Sequence, residues 1–338
     1  MKYKTGKKFF PKSVSTAKKL NSLILLFNSE DKVAIVINAD PDAIASSMAF
    51  KRLLWRKVLK ADILHVNEID RLDNRLMVKM VRAEIKPLAS VDQTTYTKWA
   101  IVDSQPHHHP DFEKIPIEFV IDHHPMPKNF FYDNIPFVDI RPDYGSVATV
   151  MTEYLRAAGI KPVSRLATAL FYAIETDTDN FVRKSIGEDI NAFKFLYSYT
   201  NMNVIKKLKS SEFSVNMLDS FKRAMDAVFL YFETIFVHLD FADNSDTLVR
   251  LADFFLRFSE ATQTVVSGCC EGKLIIIFRS SKFRGDVGKT AESVFGKFGS
   301  AGGHKSAARA EIPLEALGGQ SAEDFVFEHL KRKSKRSL

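Results

Sequence analysis

The chain has 338 residues, 46% of them hydrophobic, which is enough for two globular cores, and its two adjacent cysteines, Cys269 and Cys270, exclude a disulfide framework. The net charge of +7 arises at the two ends, because residues 1–20 hold seven lysines, residues 331–338 hold five basic residues, and neither stretch has an acid. Without these twelve residues the chain has 36 basic and 41 acidic side chains. Its net charge is therefore poor evidence for nucleic-acid binding.

The first part of the chain predicts strands that alternate with helices. A basic leader spans residues 1–19, and a short helix is expected at Ser15–Phe27. Its apolar run is too short for a membrane span or a secretory signal, so we expect a cytoplasmic protein. Strands are expected at Val33–Ile37, Asp62–Val66, Trp99–Val102 and Ile117–Ile121, and helices after a cap at Ser46 or Ser47, around Arg71–Arg82, at Ser146–Ala158 and at Ser164–Glu175. This alternation predicts an α/β domain over residues 20–195 with a doubly wound, mainly parallel sheet.

The pattern changes after this domain. Residues 191–208 look helical, and a helical linker (196–215) is expected to lead to a second, smaller α/β domain (216–330) and a basic tail (331–338). Its expected elements are a helix at Met217–Ala227, a strand at Thr234–Leu239, a helix at Thr247–Phe258, a hairpin of Thr262–Ser267 with Leu274–Arg279, and a helix near Val287–Phe298. A glycine-rich loop is expected at 299–304.

Carboxylates and histidines follow several predicted elements. They are Asp40 and Asp42 after the first strand, Asp103 after the third, Asp122, His123 and His124 after the fourth, and Asp177 after a helix. Open α/β sheets bind their ligands at the carboxyl ends of strands, so we expect these side chains to meet. Carboxylates and neutral imidazoles suit Mn, Fe or Zn, and five such ligands suffice for two divalent ions. The alternative, in which each aspartate only caps a helix or turn, requires neither the histidines nor the clustering.

The glycine-rich loop predicts a second kind of site. Glycines allow several backbone N–H groups to point at one anion, and Arg279 and His304 would add charged hydrogen bonds. The alternative is a glycine-rich turn that binds nothing. Together with the carboxylates, the loop predicts a metal-bearing domain and a phosphate-gripping domain that share a cleft.

With these motifs in order, the chain resembles the DHH phosphoesterase superfamily with its C-terminal DHHA1 domain. The resemblance covers roughly residues 20–325 and is strongest to the branch that cleaves short oligoribonucleotides and nucleoside bisphosphates such as 3′-phosphoadenosine 5′-phosphate. The matching motifs are Asp40-Pro41-Asp42-Ala43-Ile44-Ala45-Ser46, Val102-Asp103, Asp122-His123-His124, Thr176-Asp177-Thr178, Phe278-Arg279-Ser280, and Gly302-Gly303-His304 followed by Ala307-Ala308.

The resemblance implies roles for these residues. Two Mn²⁺ ions are expected, with Mg²⁺ or another divalent metal as alternatives, and Asp103 would bridge them. Asp42, His123 and Asp177 would complete one site, and Asp40 would belong to the other. His124 would face the substrate phosphate or leaving group, and Asp122 would orient the histidines. The residues implied in holding the nucleotide are Arg279, Ser280, Gly302, Gly303 and His304.

The sequence departs from the family pattern at two positions. The family has a histidine four residues before its first aspartate, where this chain has Val36, which cannot bind a metal. Asn38, or a histidine from His107–His109, is an alternative ligand, and the alternative for the histidine run is a solvated loop. The family has a GGGH turn, and this chain has Ala301 at the position of its first glycine. Alanine is unfavourable there if that position needs a positive φ.

The sequence therefore predicts a phosphoesterase that acts on a nucleotide or a short single-stranded oligonucleotide. Two alternatives remain open, namely a cyclic dinucleotide phosphodiesterase and a degenerate protein that binds nucleotides without turnover. The oligomeric state also remains open, with a homodimer as one alternative.

Overall fold

The structure is a computed structural model that describes residues 14–69, 71–127, 132–210, 213–282 and 284–334. Contacts within the chain define a first unit that ends at residue 212 and a second unit that begins at residue 213. Most of the predicted basic leader (1–19) and the last four residues of the predicted basic tail (331–338) lie outside the described residues. Within those residues, no helix has the length and apolar character needed to cross a membrane.

The first unit alternates strands with helices, as the sequence predicts. Its helices are α1 (Thr16–Ile24), α2 (Pro41–Leu53), α3 (Leu72–Val81), α4 (Val147–Ala157), α5 (Ser164–Asp177), α6 (Gly187–Tyr197) and α7 (Met202–Ser210). Its strands are β1 (Lys32–Ile37), β2 (Lys60–His65), β3 (Ile85–Pro87), β4 (Lys98–Val102), β5 (Phe119–Asp122) and β6 (Phe137–Ile140). The short strands β3 and β6 have no counterpart among the predicted elements, because strands of three or four residues show too little periodicity.

The strands of the first unit form one parallel sheet in the order β3-β2-β1-β4-β5-β6. The predicted α/β class with a mainly parallel sheet is therefore confirmed. Because β1 lies between β2 and β4, the strand order reverses at the β1/β4 boundary. In sheets of this kind the carboxyl ends of the two strands beside the reversal diverge and leave a crevice for ligands.

The two faces of this sheet are covered differently. Alternate β1 residues, among them Val33 and Ile35, pack with residues of α2, α4 and α5 in the main core. The intervening residues, Ala34 and Val36, pack on the other face against Trp99 and residues from short 3₁₀ turns. Burial on both faces explains why β1 is continuously apolar rather than alternating.

Helix α2 begins earlier than the predicted cap at Ser46 or Ser47. Asp40 is the N-cap, its carboxylate accepts the N–H of Ala43 at 2.9 Å, and Pro41 is the first helical residue. Proline is favourable there because its fixed φ suits a helix and its missing N–H has no partner to lose. Both serines lie inside the helix. The carboxylates that follow β1 are thus held at the start of a helix.

Residues 196–210, within the predicted linker (196–215), contribute to the first core. Leu196 at the end of α6 is buried there, and so are Ile205 and Leu208 of α7. The single helical stretch expected at 191–208 is instead two helices that are separated at Ser198–Asn201.

The second unit has a mixed sheet in the order β11-β12-β10-β9-β8-β7, in which only the β8–β9 pair is parallel among the described residues. Its strands are β7 (Phe229–Tyr231), β8 (Thr234–Leu239), β9 (Gln263–Cys270), β10 (Lys273–Ser280), β11 (Ser300–Gly303) and β12 (Ala307–Pro313). Its helices are α8 (Leu218–Ala227), α9 (Ser245–Phe255), α10 (Val287–Phe295) and α11 (Ala322–Ser334). The predicted hairpin is β9–β10, which turns at Glu271 and Gly272.

The expected glycine-rich loop (299–304) is mostly an edge strand, because Ser300–Gly303 pairs with β12. Only Gly303 in this strand has a positive φ, of 147°, and a Cβ there would lie 2.4 Å from the carbonyl oxygen of Ala307. Ala301 needs no positive φ, so the missing first glycine is compatible with the turn. The anion cradle that the sequence suggested is occupied in part by protein, since the N–H of His304 donates to the carbonyl of Ala307 at 2.7 Å.

Candidate metal centre

The structure brings the predicted carboxylates and histidines of the first unit together at the sheet's reversal point. Asp40 and Asp42 follow β1, Asp103 follows β4, and the Asp-His-His triplet ends β5. One ligand atom from each of Asp42, His123 and Asp177 lies within 4.8 Å of the others, and the same holds for Asp103, His123 and His124. The positions follow from topology, because parallel strands bring their carboxyl ends to a single edge.

Asp103 is held in an uncommon backbone conformation. Its φ is +59°, in the left-handed region that non-glycine residues rarely enter, although aspartate and asparagine do so more readily than most. Its N–H donates to the carbonyl of Ile121 at 2.9 Å, which extends the β4–β5 pairing by one residue. The side chain is buried, and its Oδ1 has no hydrogen-bond partner among the residues that the structure describes. An unpaired buried carboxylate oxygen costs about 1–3 kcal/mol, so this atom is suited to a cation.

The ring of His123 is oriented by the backbone of Tyr144. Its Nδ1 lies 3.1 Å from the carbonyl oxygen of Tyr144, which can only accept, so Nδ1 carries the proton. In the neutral ring Nε2 then has a lone pair, and it lies 3.1 Å from Oδ2 of Asp177 and 3.6 Å from Oδ1 of Asp103. Acceptors this close require a proton or a cation between them.

Glycine is required beside Tyr144. A Cβ at Gly145 would lie 2.5 Å from Cγ2 of Thr178 and 2.9 Å from Oδ2 of Asp189. The buried Asp189 carboxylate accepts the Gly145 N–H at 3.0 Å and the Thr149 hydroxyl at 2.6 Å. These contacts fix the loop that orients His123.

Asp42 is buried against the start of α4. Its carboxylate accepts the N–H groups of Val147 and Ala148 at 2.6 and 2.7 Å and the Ser46 hydroxyl at 3.1 Å. The N–H groups in the first turn of a helix have no partner within the helix and favour a negative charge. The helix terminus therefore holds Asp42 in place beside His123 and Asp177.

A chain of hydrogen bonds orients His124. Its Nδ1 lies 2.8 Å from Oδ1 of Asp122, whose Oδ2 accepts the side-chain amide of Gln105 at 2.6 Å. The Tyr132 hydroxyl donates to the amide oxygen of Gln105. Both oxygens of the buried Asp122 are therefore occupied, which supports the predicted orienting role of this residue and leaves Nε2 of His124 facing outward.

Asp40 and Asn38 lie at the open side of the site. The Asp40 carboxylate caps α2 and lies within hydrogen-bonding reach of Asp103. The Asp40 side chain retains solvent-accessible surface. The protein packed around its carboxylate nevertheless raises the pKa of Asp40. The Asn67 side chain brackets Ala39 by accepting its N–H at 2.6 Å and donating to its carbonyl at 3.1 Å. Asn38 is exposed, so its amide is accessible to a ligand.

The electrostatics of the centre favour bound cations. Burial and then the nearby charge of Asp177 raise the pKa of Asp42 to about 7, and burial and Asp42 raise the pKa of Asp103 well above its ordinary value. Burial lowers the pKa of His123, but Asp177 and Asp42 more than offset this and raise it to about 9. Without a bound cation, the raised pKa values favour protons that neutralise the negative charge of the crowded carboxylates. With the unpaired Asp103 Oδ1 and the facing pair of His123 and Asp177, the donor set fits a divalent cation of the Mn, Fe or Zn type.

The position of the missing motif histidine and the histidine run proposed to replace it have different placements. Val36 is fully buried in the apolar cluster on one sheet face, between Leu64 and Ile101 of the neighbouring strands. In the histidine run, His108 lies beside His124 with 5.3 Å between the ring centres. One ligand atom from His108 lies within 4.8 Å of others from Asp122 and His124. His108 is exposed, as the solvated-loop interpretation expects, and its ring lies beside that of His124.

The predicted nucleotide-holding residues meet at one end of the second sheet. Arg279 is paired with Ala307 across the β10–β12 ladder, and the N–H of Ser280 donates to the carbonyl of Ser306 at 2.9 Å, so both lie beside the turn that contains His304. The Arg279 guanidinium forms a 2.7 Å ion pair with Asp253 of α9. The remaining members, Gly302 and Gly303, end β11 at the same turn.

Several residues that shape the centre were not identified from the sequence. They are Gln105, Tyr132, Tyr144, Asn67, Asp189 and the N–H groups of Val147 and Ala148. Each acts through hydrogen bonds to residues distant in sequence, and their residue types form no recognisable spacing. The only sequence signal is proximity, since Gln105 follows the predicted ligand Asp103 by two residues.

Comparisons with known proteins give a matching family and a relative. Residues 32–174 match the DHH family, N-terminal domain. An uncharacterized protein of Methanocaldococcus jannaschii is 31% identical over 279 residues, which are 82% of this chain and 57% of that protein, so the chain spans little more than half of this relative.

Two solved structures share the fold at low sequence identity. An exopolyphosphatase-related protein from Bacteroides fragilis superposes with a TM-score of 0.72 at 16% identity and covers 96% of this chain and 98% of its own. The exonuclease RecJ bound to manganese has a TM-score of 0.53 at 13% identity, with 97% of this chain and 96% of its own covered.

Proposed function

Because this chain belongs to the DHH family through residues 32–174, we propose that it is a metal-dependent phosphoesterase that hydrolyses short oligonucleotides, dinucleotides or nucleoside bisphosphates. The observation that carries the proposal is the buried Oδ1 of Asp103, which has no hydrogen-bond partner among the described residues and lies 3.6 Å from Nε2 of His123. A protein that only binds nucleotides has no use for such an atom. Manganese, which the RecJ structure contains, is the metal we propose, with two ions expected.

We infer a division of the ligands that follows the sequence. We propose that Asp42, His123 and Asp177 hold one ion, that Asp40 serves the other, and that Asp103 contributes to both. When bound, two divalent ions activate water and stabilise the attacking and leaving oxygens of an in-line displacement at phosphorus.

The chain's own groups perform the remaining tasks. The Val147 and Ala148 N–H groups and the Tyr144 carbonyl hold Asp42 and His123 in place, so the centre is ordered before substrate arrives. Asp122 orients His124, and hydrogen bonding to Asp122 raises the pKa of His124. A protonated Nε2 can then donate to the leaving oxygen of the substrate.

We assign nucleotide holding to the second unit. Arg279, Ser280 and the turn around His304 collect an arginine fork, a hydroxyl and backbone groups at one sheet end, which suits a phosphate or ribose. Arg279 would have to exchange its ion pair with Asp253 for the ligand, and half of the Asp253 side chain is exposed, which keeps that exchange inexpensive.

The test is a hydrolysis panel with Mn²⁺ that contains a nucleoside 3′,5′-bisphosphate, a short RNA, a cyclic dinucleotide and pyrophosphate. We expect metal-dependent turnover of the bisphosphate or the short RNA, and loss of that turnover in Asp177→Asn. Asp179→Asn is the matched control, because Asp179 is two residues away and exposed, where it pairs with Arg183. Preferred turnover of the cyclic dinucleotide would change the substrate class. Nucleotide binding without turnover of any member would contradict the enzyme and favour a binding protein.

A further inference from the structure

His108 occupies a fixed position at the edge of the centre. It ends a 3₁₀ turn, Pro106–His108, that begins after the fully buried Gln105. Its ring lies nearly perpendicular to that of His124, with an angle of 84° and 5.3 Å between ring centres. His108 is exposed, so a ligand at His124 can reach it.

The hydrogen bonds of His108 determine what its ring can do. The backbone N–H of Gln105 donates to Nδ1 of His108 at 3.2 Å. Because that lone pair is occupied, the proton of the neutral ring must be on Nε2. The outward nitrogen of His108 is therefore a hydrogen-bond donor.

This tautomer argues against a cation at His108. A metal ligand must offer a lone pair, and here both ring nitrogens lack a free one. Each oxygen of the neighbouring Asp122 already accepts one hydrogen bond, from His124 and from the Gln105 amide, and the carboxylate is fully buried. The cluster of His108, Asp122 and His124 therefore resembles a metal site in composition, but its hydrogen bonds suit an anion.

We propose that His108 is a substrate-binding residue whose Nε2–H donates to a phosphoryl oxygen of the substrate beside His124. This inference rests on the proposed phosphoesterase function. Gln105 would link the two histidines, since its side chain fixes His124 through Asp122 and its backbone fixes His108. His108 would restrict substrates to those with an accessible phosphoryl oxygen on that side, and its effect should fall on binding more than on the chemical step.

The experiment uses adenosine 5′-monophosphate as a product-like probe, titrated by calorimetry into protein saturated with Mn²⁺. We expect His108→Ala to weaken the probe about tenfold, the loss typical of one hydrogen bond to a charged group, with the Mn²⁺ affinity unchanged. His108→Gln retains an N–H donor and should recover part of the loss. His109→Ala is the matched control on the same loop, because Nδ1 of His109 accepts the N–H of Asp111. This substitution should leave the probe affinity unchanged.

Three results would overturn the inference. A fall in Mn²⁺ affinity in His108→Ala would make the residue a metal ligand, an unchanged probe affinity would make it a surface histidine, and an equal loss in His109→Ala would indicate a general loop effect. Failure of the proposed function is distinguishable, because a wild type that binds the probe through His108 but hydrolyses nothing would retain this inference and reject the enzyme.

Discussion

Asp42 and Val147 are joined by a 2.6 Å hydrogen bond from the backbone N–H at the start of α4 to the buried carboxylate. A residue expected to bind metal therefore also caps a helix, with Ala148 as a second donor. We expect Asp42→Asn to lower the free energy of unfolding by about 1–2 kcal/mol in metal-free protein, because the amide has one acceptor oxygen in place of two. Urea unfolding in a chelator measures it, and stability equal to wild type would show that α4 does not need this cap.

Asp103 should be essential for turnover at both ion positions. We expect Asp103→Asn to reduce kcat at least a hundredfold, because its oxygen is proposed to serve both ions. Asparagine is the informative replacement, since it tolerates the φ of +59° better than alanine does and preserves side-chain volume. Kinetics with Mn²⁺, with circular dichroism to verify folding, test this, and a variant that retains a tenth of the wild-type kcat would exclude the bridging role.

Val36→His should not restore a metal ligand. The side chain at position 36 lies in an apolar cluster with Leu64 and Ile101, where an imidazole without a partner costs about 1–3 kcal/mol. We expect lower stability in urea and an unchanged calorimetric Mn²⁺ titration. Val36→Ala gives the matched loss of packing without a polar group. Tighter binding of a second ion in Val36→His would show that the imidazole reaches Asp40.

Arg279→Ala should weaken substrate binding and spare the chemical step. The guanidinium is on the second unit and is not among the expected metal ligands, so its loss should raise KM several-fold with little change in kcat. Lys273→Ala is the control, because Lys273 begins the same strand at its other end and pairs with Glu311. A collapse of kcat with KM unchanged would place Arg279 at the reacting phosphate.

Stability should depend on pH through Asp139, which is not among the expected ligands. Its buried carboxylate accepts from Lys19 at 2.7 Å, Arg141 at 2.8 Å and Tyr154 at 2.6 Å. Burial alone would raise the pKa of Asp139, but Arg141 and Lys19 outweigh it and lower the pKa. The stabilisation is therefore present above the unfolded pKa of about 3.9 and is lost as pH falls through the lower folded pKa.

Asp139→Asn tests this dependence. It should cost about 3–5 kcal/mol at neutral pH, because the buried Lys19 and Arg141 lose a shared counter-charge, while Arg141 keeps its pair with Glu153. Its unfolding free energy, measured in urea between pH 7 and pH 3, should fall less steeply toward acid than that of the wild type. Parallel curves would show that other carboxylates dominate acid unfolding.

The sequence by itself determined the α/β alternation and the residues at the strand ends. Val33–Ile37 and Trp99–Val102 were predictable as strands because burial on both faces produces short continuous apolar runs. The carboxyl ends of parallel strands lie along a single edge of the sheet. Residues that follow different strands, such as Asp40, Asp103 and His123, were therefore predictable as neighbours.

Only the tertiary structure decided how these residues are held. The capping of α4 by Asp42 spans more than 100 residues, and the direction of the His108 lone pair depends on one backbone N–H. Comparison with the motif suggests that a ligand is missing at Val36, whereas in the sheet Val36 is a core residue. Such contacts depend on which distant segments pack together, and neither composition nor periodicity records that, because both describe a residue's neighbours along the chain rather than across the fold.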